Sequence, residues 1–302
     1  MSRRGQVLFL VMSVIWGIPY LLIRVAVREL PPPVLVFART APAALLLLPL
    51  ALRRGYLRPL LARWRIVVVF SLVELAGPWL LLSHAEKRLP SSVSGLLVAS
   101  VPLIGAVVAL AVGHEDRVDR RRLIGLLLGL AGVAGLVGVD LAGTDLLAVG
   151  EVGITALGYS IGPLIVSRRF ADVPALGVVA AAMGLTAIGY APVALTMLPA
   201  RVSGEVIGAV AVLAVVCTAA AFLLFFALIA EVGPARATVI TYLNPAVAVI
   251  LGVSLLGEPL TTGILIGFPL IIAGSVLATG RSRSPSPASP ASPAAPAPAA
   301  AA

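Results

Sequence analysis

The chain has 302 residues, is 60% apolar and only 12% charged, and has a mean hydropathy of +1.09. Soluble domains carry about 25% charged and about 45–50% apolar residues, so no water-soluble core could hide this much apolar surface; the composition excludes a soluble enzyme or binding module and points to an integral membrane protein. The net charge of +9 would suit nucleic acid only if it were clustered, and it is spread over the connections between apolar runs; the single cysteine, Cys217, excludes a disulfide framework and a cysteine-based metal cluster.

In chain order, Arg3 and Arg4 precede an apolar run that continues past Val25 without a small-residue cleavage site, which predicts a retained first membrane helix rather than a signal peptide. A bilayer core takes about 20 apolar residues per helix, and ten such runs follow one another: 6–26, 33–52, 66–84, 90–112, 122–139, 146–167, 174–198, 206–229, 234–256 and 262–280. Pro31-Pro32-Pro33, Arg53-Arg54-Gly55, Leu89-Pro90, Asp172-Val173-Pro174 and Gly257-Glu258-Pro259 punctuate them as short turns. From Arg281 the sequence RSRSPSPASPASPAAPAPAAAA has no aliphatic residue larger than alanine and reads as a disordered tail, 281–302. With the N-terminus inside, sixteen of the 22 Lys and Arg residues fall in inside connections and five in outside ones, with Arg39 within a helix. The expectation is a multi-pass cell-membrane protein with both termini cytoplasmic, whose basic residues meet anionic lipid.

The sequence repeats. LPSSVSGLLVASVPLIGAVVALAVGHED from Leu89 aligns with VGPARATVITYLNPAVAVILGVSLLGEP from Val232 at an offset of 143, placing Pro102 on Pro245 and Glu115 on Glu258. After one dropped residue, Leu123-Ile124-Gly125 matches Leu265-Ile266-Gly267 and Gly132 matches Gly274. Residues 1–140 and 141–280 are therefore two copies of a five-helix unit, and because five is odd the second copy enters the membrane from the opposite side. Inverted repeats of this kind characterise secondary transporters, with the substrate site near the midplane between the halves. The expected fold class is all-α, with ten transmembrane helices as two inverted five-helix repeats.

WGIPYLLIRVA at Trp16, the Phe37-Ala38-Arg39 triplet, VPLIGAVVALAVGHED with GLLLGLAGVAGL, and NPAVAVILGVSLLGEPLTTGILIG with the Ile271–Gly274 segment resemble the paired units of EamA-type transporters of the drug/metabolite transporter superfamily. The resemblance covers residues 7 to 279, and its most specific part is LGEPLT. It implies ten helices, cytoplasmic termini and carriage of small metabolites, often as export. The first copy departs from it with GHEDRV, and Glu74 stands where an apolar residue is expected.

Depth arithmetic at about 1.5 Å per residue puts Ser13, Trp16, Glu74, Ser100, Thr155, Tyr159, Tyr242 and Asn244 within one layer about 10–15 Å from the inner edge. Helical spacing adds Tyr20 to a stripe with Ser13, Trp16 and Arg24, joins Glu151 to Thr155 and Tyr159, and sets Thr218, Phe222 and Phe226 on one face. Trp16, Tyr20, Ser100, Thr155, Tyr159, Tyr242 and Asn244 are the candidate substrate contacts, against the alternative that hydroxyls bond their own helices or neighbouring ones. Glu74 is the candidate proton-coupling acid, because a charge at a helix centre costs about 2.5–3.5 kcal/mol and so faces the interior and acts in binding or proton transfer, or else sits protonated as a structural group. Arg39 and Glu151, at matched depth, are candidates for an ion pair.

Pro19, Pro78, Pro102, Pro163 and Pro245 mark candidate hinges, with simple helix shape as the alternative, and glycines 125, 129, 132, 263 and 267 fit helix packing or a homodimer. His84 and His114 sit at helix ends beside Glu86 and Glu115 with no HExxH pair, so no metal, no cofactor and no catalytic residue are expected. The function expected is export of a small organic solute, such as an amino acid or a drug-like molecule, by alternating access, with proton coupling through Glu74. An uncoupled facilitator is the alternative. An intramembrane enzyme would need a nucleophile with a base, or a metal, at one depth, and the sequence offers neither.

Overall fold

The computed structural model describes residues 2–111, 120–140 and 146–279, so His114, Glu115 and the proline-rich tail lie outside the described residues. Ten helices are long and apolar enough to span a bilayer: α1 (Arg3–Ala26), α2 (Pro32–Arg53), α3 (Trp64–Ala85), α4 (Ser91–Ala111), α5 (Arg120–Gly138), α6 (Leu146–Arg169), α7 (Ala175–Thr196), α8 (Gly204–Val232), α9 (Thr238–Leu256) and α10 (Thr262–Thr279). In lipid every backbone N–H and C=O must be satisfied within the protein, and a helix does this along its own length. The ends are closed by side chains: Ser2 accepts from Gly5 N at 3.0 Å and Ser203 from Val206 N at 3.3 Å.

Connections meet in the order that alternation across a membrane requires. On the face that holds the N-terminus, Arg63 binds Asp172 through two bonds of 2.6 and 2.8 Å, and Ser2 contacts Glu231. On the opposite face, Glu29 accepts from Ser203 N at 2.7 Å and Arg24 reaches the backbone carbonyl of Glu86. There too the LGEP motif has a physical role. Gly257 ends α9 at φ +65°, a left-handed conformation that suits glycine, and the turn delivers Glu258 to the start of α4. Its two oxygens accept from Ser91 N at 2.7 Å and Ser92 N at 2.9 Å, capping a first-half helix with a second-half carboxylate.

The two five-helix units interlock rather than lie side by side. Three helices pack on their own repeat mates: α2 on α7, α4 on α9 and α5 on α10. The others exchange: α3 packs on α6 and α7, as α8 packs on α1 and α2. At the α5–α10 crossing the backbones touch, since a Cβ on Gly125 would lie 2.7 Å from the Gly274 carbonyl oxygen and one on Gly132 would lie 2.8 Å from Ile271 N. Glycines 125, 129 and 132 are thus spent inside the chain, which removes them as a surface for a second copy.

Four helices are irregular near mid-span, in two repeat-related pairs. α4 breaks between Val98 and Val101, ahead of Pro102, and α9 changes from a 3-10 turn (Thr238–Tyr242) to an α-helix at Asn244, ahead of Pro245. α3 and α8 each carry a π-helical turn, Ser71–Ala76 and Val215–Ala220. α1 breaks too, at Trp16–Gly17 ahead of Pro19. Proline alone does not cause this: Pro163 lies in an uninterrupted α6, which corrects its assignment as a hinge, and the α8 turn contains no proline. Neighbouring helices supply the bonds that the breaks leave open. Ser275 on α10 donates to Ala99 O at 3.3 Å, and Ser160 on α6 donates to Val101 O at 3.0 Å.

Candidate functional site

The π turns position the polar residues at the seam between the units. Such turns insert one residue into a helix and often mark functional sites. In α8 the turn carries Thr218, fully buried, which donates to Leu213 O at 2.7 Å and accepts from Arg39 Nε at 2.9 Å. Arg39 is itself buried, and its guanidinium lies 3.6 Å above the Trp79 ring. A planar cation on an aromatic face keeps part of its electrostatic stabilisation after losing water. Tyr20, Tyr159, Cys217 and Glu86 all lie within electrostatic reach of this guanidinium, so α1, α2, α3, α6 and α8 converge on it.

In α3 the corresponding turn carries Glu74. The acid lies at the seam of α3 and α6, where the carboxyl rests on Gly162 so closely that a Cβ there would collide with it. One turn earlier, Gly158 admits Pro78, whose Cγ would stand 2.8 Å from an added Cβ. Glu74 is half-buried, its Oε2 is enclosed without a hydrogen-bond partner, and Tyr159 is within electrostatic reach. Ser71, at the start of the same turn, is held to α7 by Ala182 O at 3.1 Å and Thr186 Oγ1 at 2.8 Å.

The expected pairing of Arg39 with Glu151 is not made. Glu151 accepts from Arg88 at 2.7 Å and pairs with His84 Nδ1 at 2.7 Å, both on the end of α3, while Arg39 faces Trp79 and Thr218. Equal depth fixed only one of three coordinates. The expected substrate contacts divide likewise. Tyr20 and Tyr159 join the Arg39 cluster. Trp16 stands nearer the N-terminal face, with Phe225 at 4.6 Å and Phe222 at 5.9 Å between ring centroids. Asn244, with its amide oriented to donate, bonds Ser13 O at 3.0 Å and Ile240 O at 2.9 Å, bridging α1 to the start of α9's α-helical part. Thr155 donates to Glu151 O and Pro78 O, and Ser100 to Leu97 O, so both serve backbone closure. Tyr242 turns away to Thr279 Oγ1 at 2.7 Å on α10.

Trp79, Thr218 and Glu86 belong to the cluster and were not among the candidates. Thr218 and the aromatic residues on its stripe were visible as a helical face; Trp79 and Glu86 carry no pattern in sequence that separates them from an interfacial aromatic residue and a loop acid. Among the described residues no group of three or more His, Cys, Asp or Glu side chains could hold a metal ion.

Ten spans, an inverted duplication and a polar seam between its halves define a multi-pass membrane protein of transporter architecture. The EamA-like transporter family model matches the chain twice, over residues 3–138 and 150–280, and the chain belongs to that family. It is 30% identical over 280 residues to the uncharacterized inner membrane transporter YedA of Escherichia coli strain K12, covering 88% of this chain and 87% of that one. It is 25% identical over 294 residues to the uncharacterized transporter YvbV of Bacillus subtilis strain 168, covering 94% of each. A solved crystal structure of a protein 23% identical to it superposes with a TM-score of 0.64, over 92% of this chain and 98% of that one, and shares the fold. The family is one of transporters, not of enzymes.

Proposed function

We propose that the protein exports a small organic metabolite, such as an amino acid or a drug-like solute, by alternating access of its two interlocked units, in exchange for protons carried by Glu74. The observation that carries this reading is the pair of π turns: one presents Glu74 at the α3–α6 seam, the other presents Thr218 to Arg39 at the α2–α8 seam. Both seams join one unit to the other, so a rocking motion between units changes the surroundings of both residues together. The Arg39, Trp79, Tyr20 and Tyr159 group is the substrate contact, with a cation for an anionic group and aromatic faces for an apolar one. The plasma membrane as location follows the inner-membrane designation of YedA. Cytoplasmic termini follow the sixteen-to-five bias of basic residues.

The test is efflux from proteoliposomes loaded with a pooled metabolite mixture, with and without an imposed proton gradient, for the native chain and Glu74→Gln. One compound should leave the native vesicles in a gradient-dependent way. The variant, which keeps size and hydrogen bonding but cannot titrate, should lose the gradient dependence and keep solute exchange. Full gradient dependence in the variant sinks the coupling role, and efflux indifferent to the gradient in both makes the protein a facilitator.

A further inference from the structure

A second acid in the described residues is more completely enclosed than Glu74. Glu86 lies one residue beyond α3, on the face opposite the N-terminus, with 0% of its surface exposed and both carboxyl oxygens without a hydrogen-bond partner. An ionised carboxylate in such a place is costly unless it is paired. The cation best placed to pair with it, Arg24 on α1, instead donates to the backbone carbonyl of Glu86. The other charged and titratable groups around it are spoken for or distant. Arg39 on α2 is engaged with Trp79 and Thr218, Glu258 is spent on the α4 amides, and Arg88 and His84 on its own helix hold Glu151. Tyr20 on α1 and Tyr159 on α6 are within electrostatic reach. Two arginines nearby disfavour a metal cation as the missing partner, whereas a proton needs only one carboxyl oxygen.

We propose that Glu86 is a proton-binding site that latches this face of the transporter: with its carboxyl protonated, the ends of α1, α3 and α4 close over it, and when the face opens the group meets water and releases the proton. The opened carboxylate is then available to Arg24, which stands beside it. The latch is separate from the coupling assigned to Glu74, which lies on the α6 side of α3 at mid-span.

The electrostatics agree with the geometry. Burial, and secondarily the charge of Glu258, push the Glu86 carboxyl well above the usual carboxylate range, and Arg24 and Arg39 oppose that shift without reversing it. The sign follows: a carboxyl with a raised pKa in the closed form stabilises that form at low pH and ceases to do so as pH rises through the raised value. Alkaline conditions on this face therefore favour opening.

The experiment is pH-difference infrared spectroscopy of the full chain in proteoliposomes, for the native protein, Glu86→Gln and Glu74→Gln, with hydrogen exchange followed over residues 84–92. The expected result is a protonated-carboxyl C=O band that disappears as pH rises, absent in Glu86→Gln and retained in Glu74→Gln. Exchange at 84–92 should gain protection loss in step with the band in the native protein, beyond the base-catalysed rise of the intrinsic rate, and stay protected in Glu86→Gln. A spectrum with no band sensitive to Glu86→Gln overturns the proposal, as does exchange with the same pH profile in both. Should Glu86→Gln fail to insert, Arg24→Gln carries the test: removing the opposing charge should move the loss of the band to higher pH, and an unmoved or lowered transition overturns the latch. These readouts require no transported solute, so they stand or fall independently of the role of Glu74.

Discussion

Arg39 of the first unit donates from Nε to Thr218 Oγ1 of the second across 2.9 Å, while its guanidinium lies 3.6 Å above the Trp79 ring. One buried cation is thereby fixed on two sides by elements of different units. A hydrogen bond to a charged group is worth about 1.5–3 kcal/mol, and a desolvated cation–π contact about 2 kcal/mol. Arg39→Ala should lower stability by about 2–4 kcal/mol on this basis, read as a shift in denaturant midpoint of the purified protein. Thr218→Val should cost less, and the double-mutant cycle should return a coupling of about 1 kcal/mol or more. A coupling near zero would mean that the bond contributes nothing across the seam.

The α5–α10 crossing leaves no room for a methyl group. A Cβ on Gly274 would meet the Gly125 carbonyl oxygen at 2.6 Å and Gly129 Cα at 2.6 Å, and neither backbone atom can yield without moving a helix. Gly274→Ala should therefore destabilise by about 1–3 kcal/mol or more, the usual cost of overpacking. Gly150→Ala, where nothing lies within 4 Å, should be neutral and serves as the control. Thermal aggregation in detergent compares the two, and equal behaviour would show that the crossing relaxes freely.

The break in α4 depends on hydroxyls from other helices. Ser275→Ala removes the donor to Ala99 O, and Ser160→Ala the donor to Val101 O. Each substitution should cost about 0.5–1.5 kcal/mol, and hydrogen exchange around residues 98–103 should rise in both. Unchanged exchange there would show that the backbone closes the break without them.

On the N-terminal face the Arg63 guanidinium holds the Asp172 carboxyl below its ordinary range. A depressed carboxyl contributes above its unfolded pKa and loses that contribution as pH falls through the folded value. The pair is exposed, so salt and water screen it. Asp172→Asn should melt within scatter of the native protein at neutral pH, with any small deficit vanishing in acid. A large deficit at neutral pH would indicate that the ion pair clamps the α2–α3 and α6–α7 connections.

Much of the architecture was legible because a bilayer imposes its rules on sequence directly. The ten apolar runs match the ten spans to within a few residues, since helix length is set by hydrocarbon thickness. The matched Pro102 and Pro245 announced the duplication, and both lie just after a break in their helices. The glycines of α5 and α10 announced close packing, and they pack on each other. The glycines that seat Glu74, Gly158 and Gly162, were overlooked although their i, i+4 spacing was present in the sequence.

What the sequence determined by itself was everything that depends on position along the membrane normal: spans, alternation, duplication and the depth of each polar residue. What only the tertiary structure decided was rotation and neighbourhood. Depth put Arg39 level with Glu151, but α2 turns the arginine to Trp79 and Thr218, and α3 brings His84 and Arg88 to the glutamate. Composition made Glu86 an ordinary loop acid, and the closing of α1 and α4 over it removed every partner its oxygens could have had in water. The reason is physical. Hydrophobic transfer acts residue by residue and is written into composition, whereas packing and hydrogen bonding act between residues far apart in the chain and exist only once the helices have met.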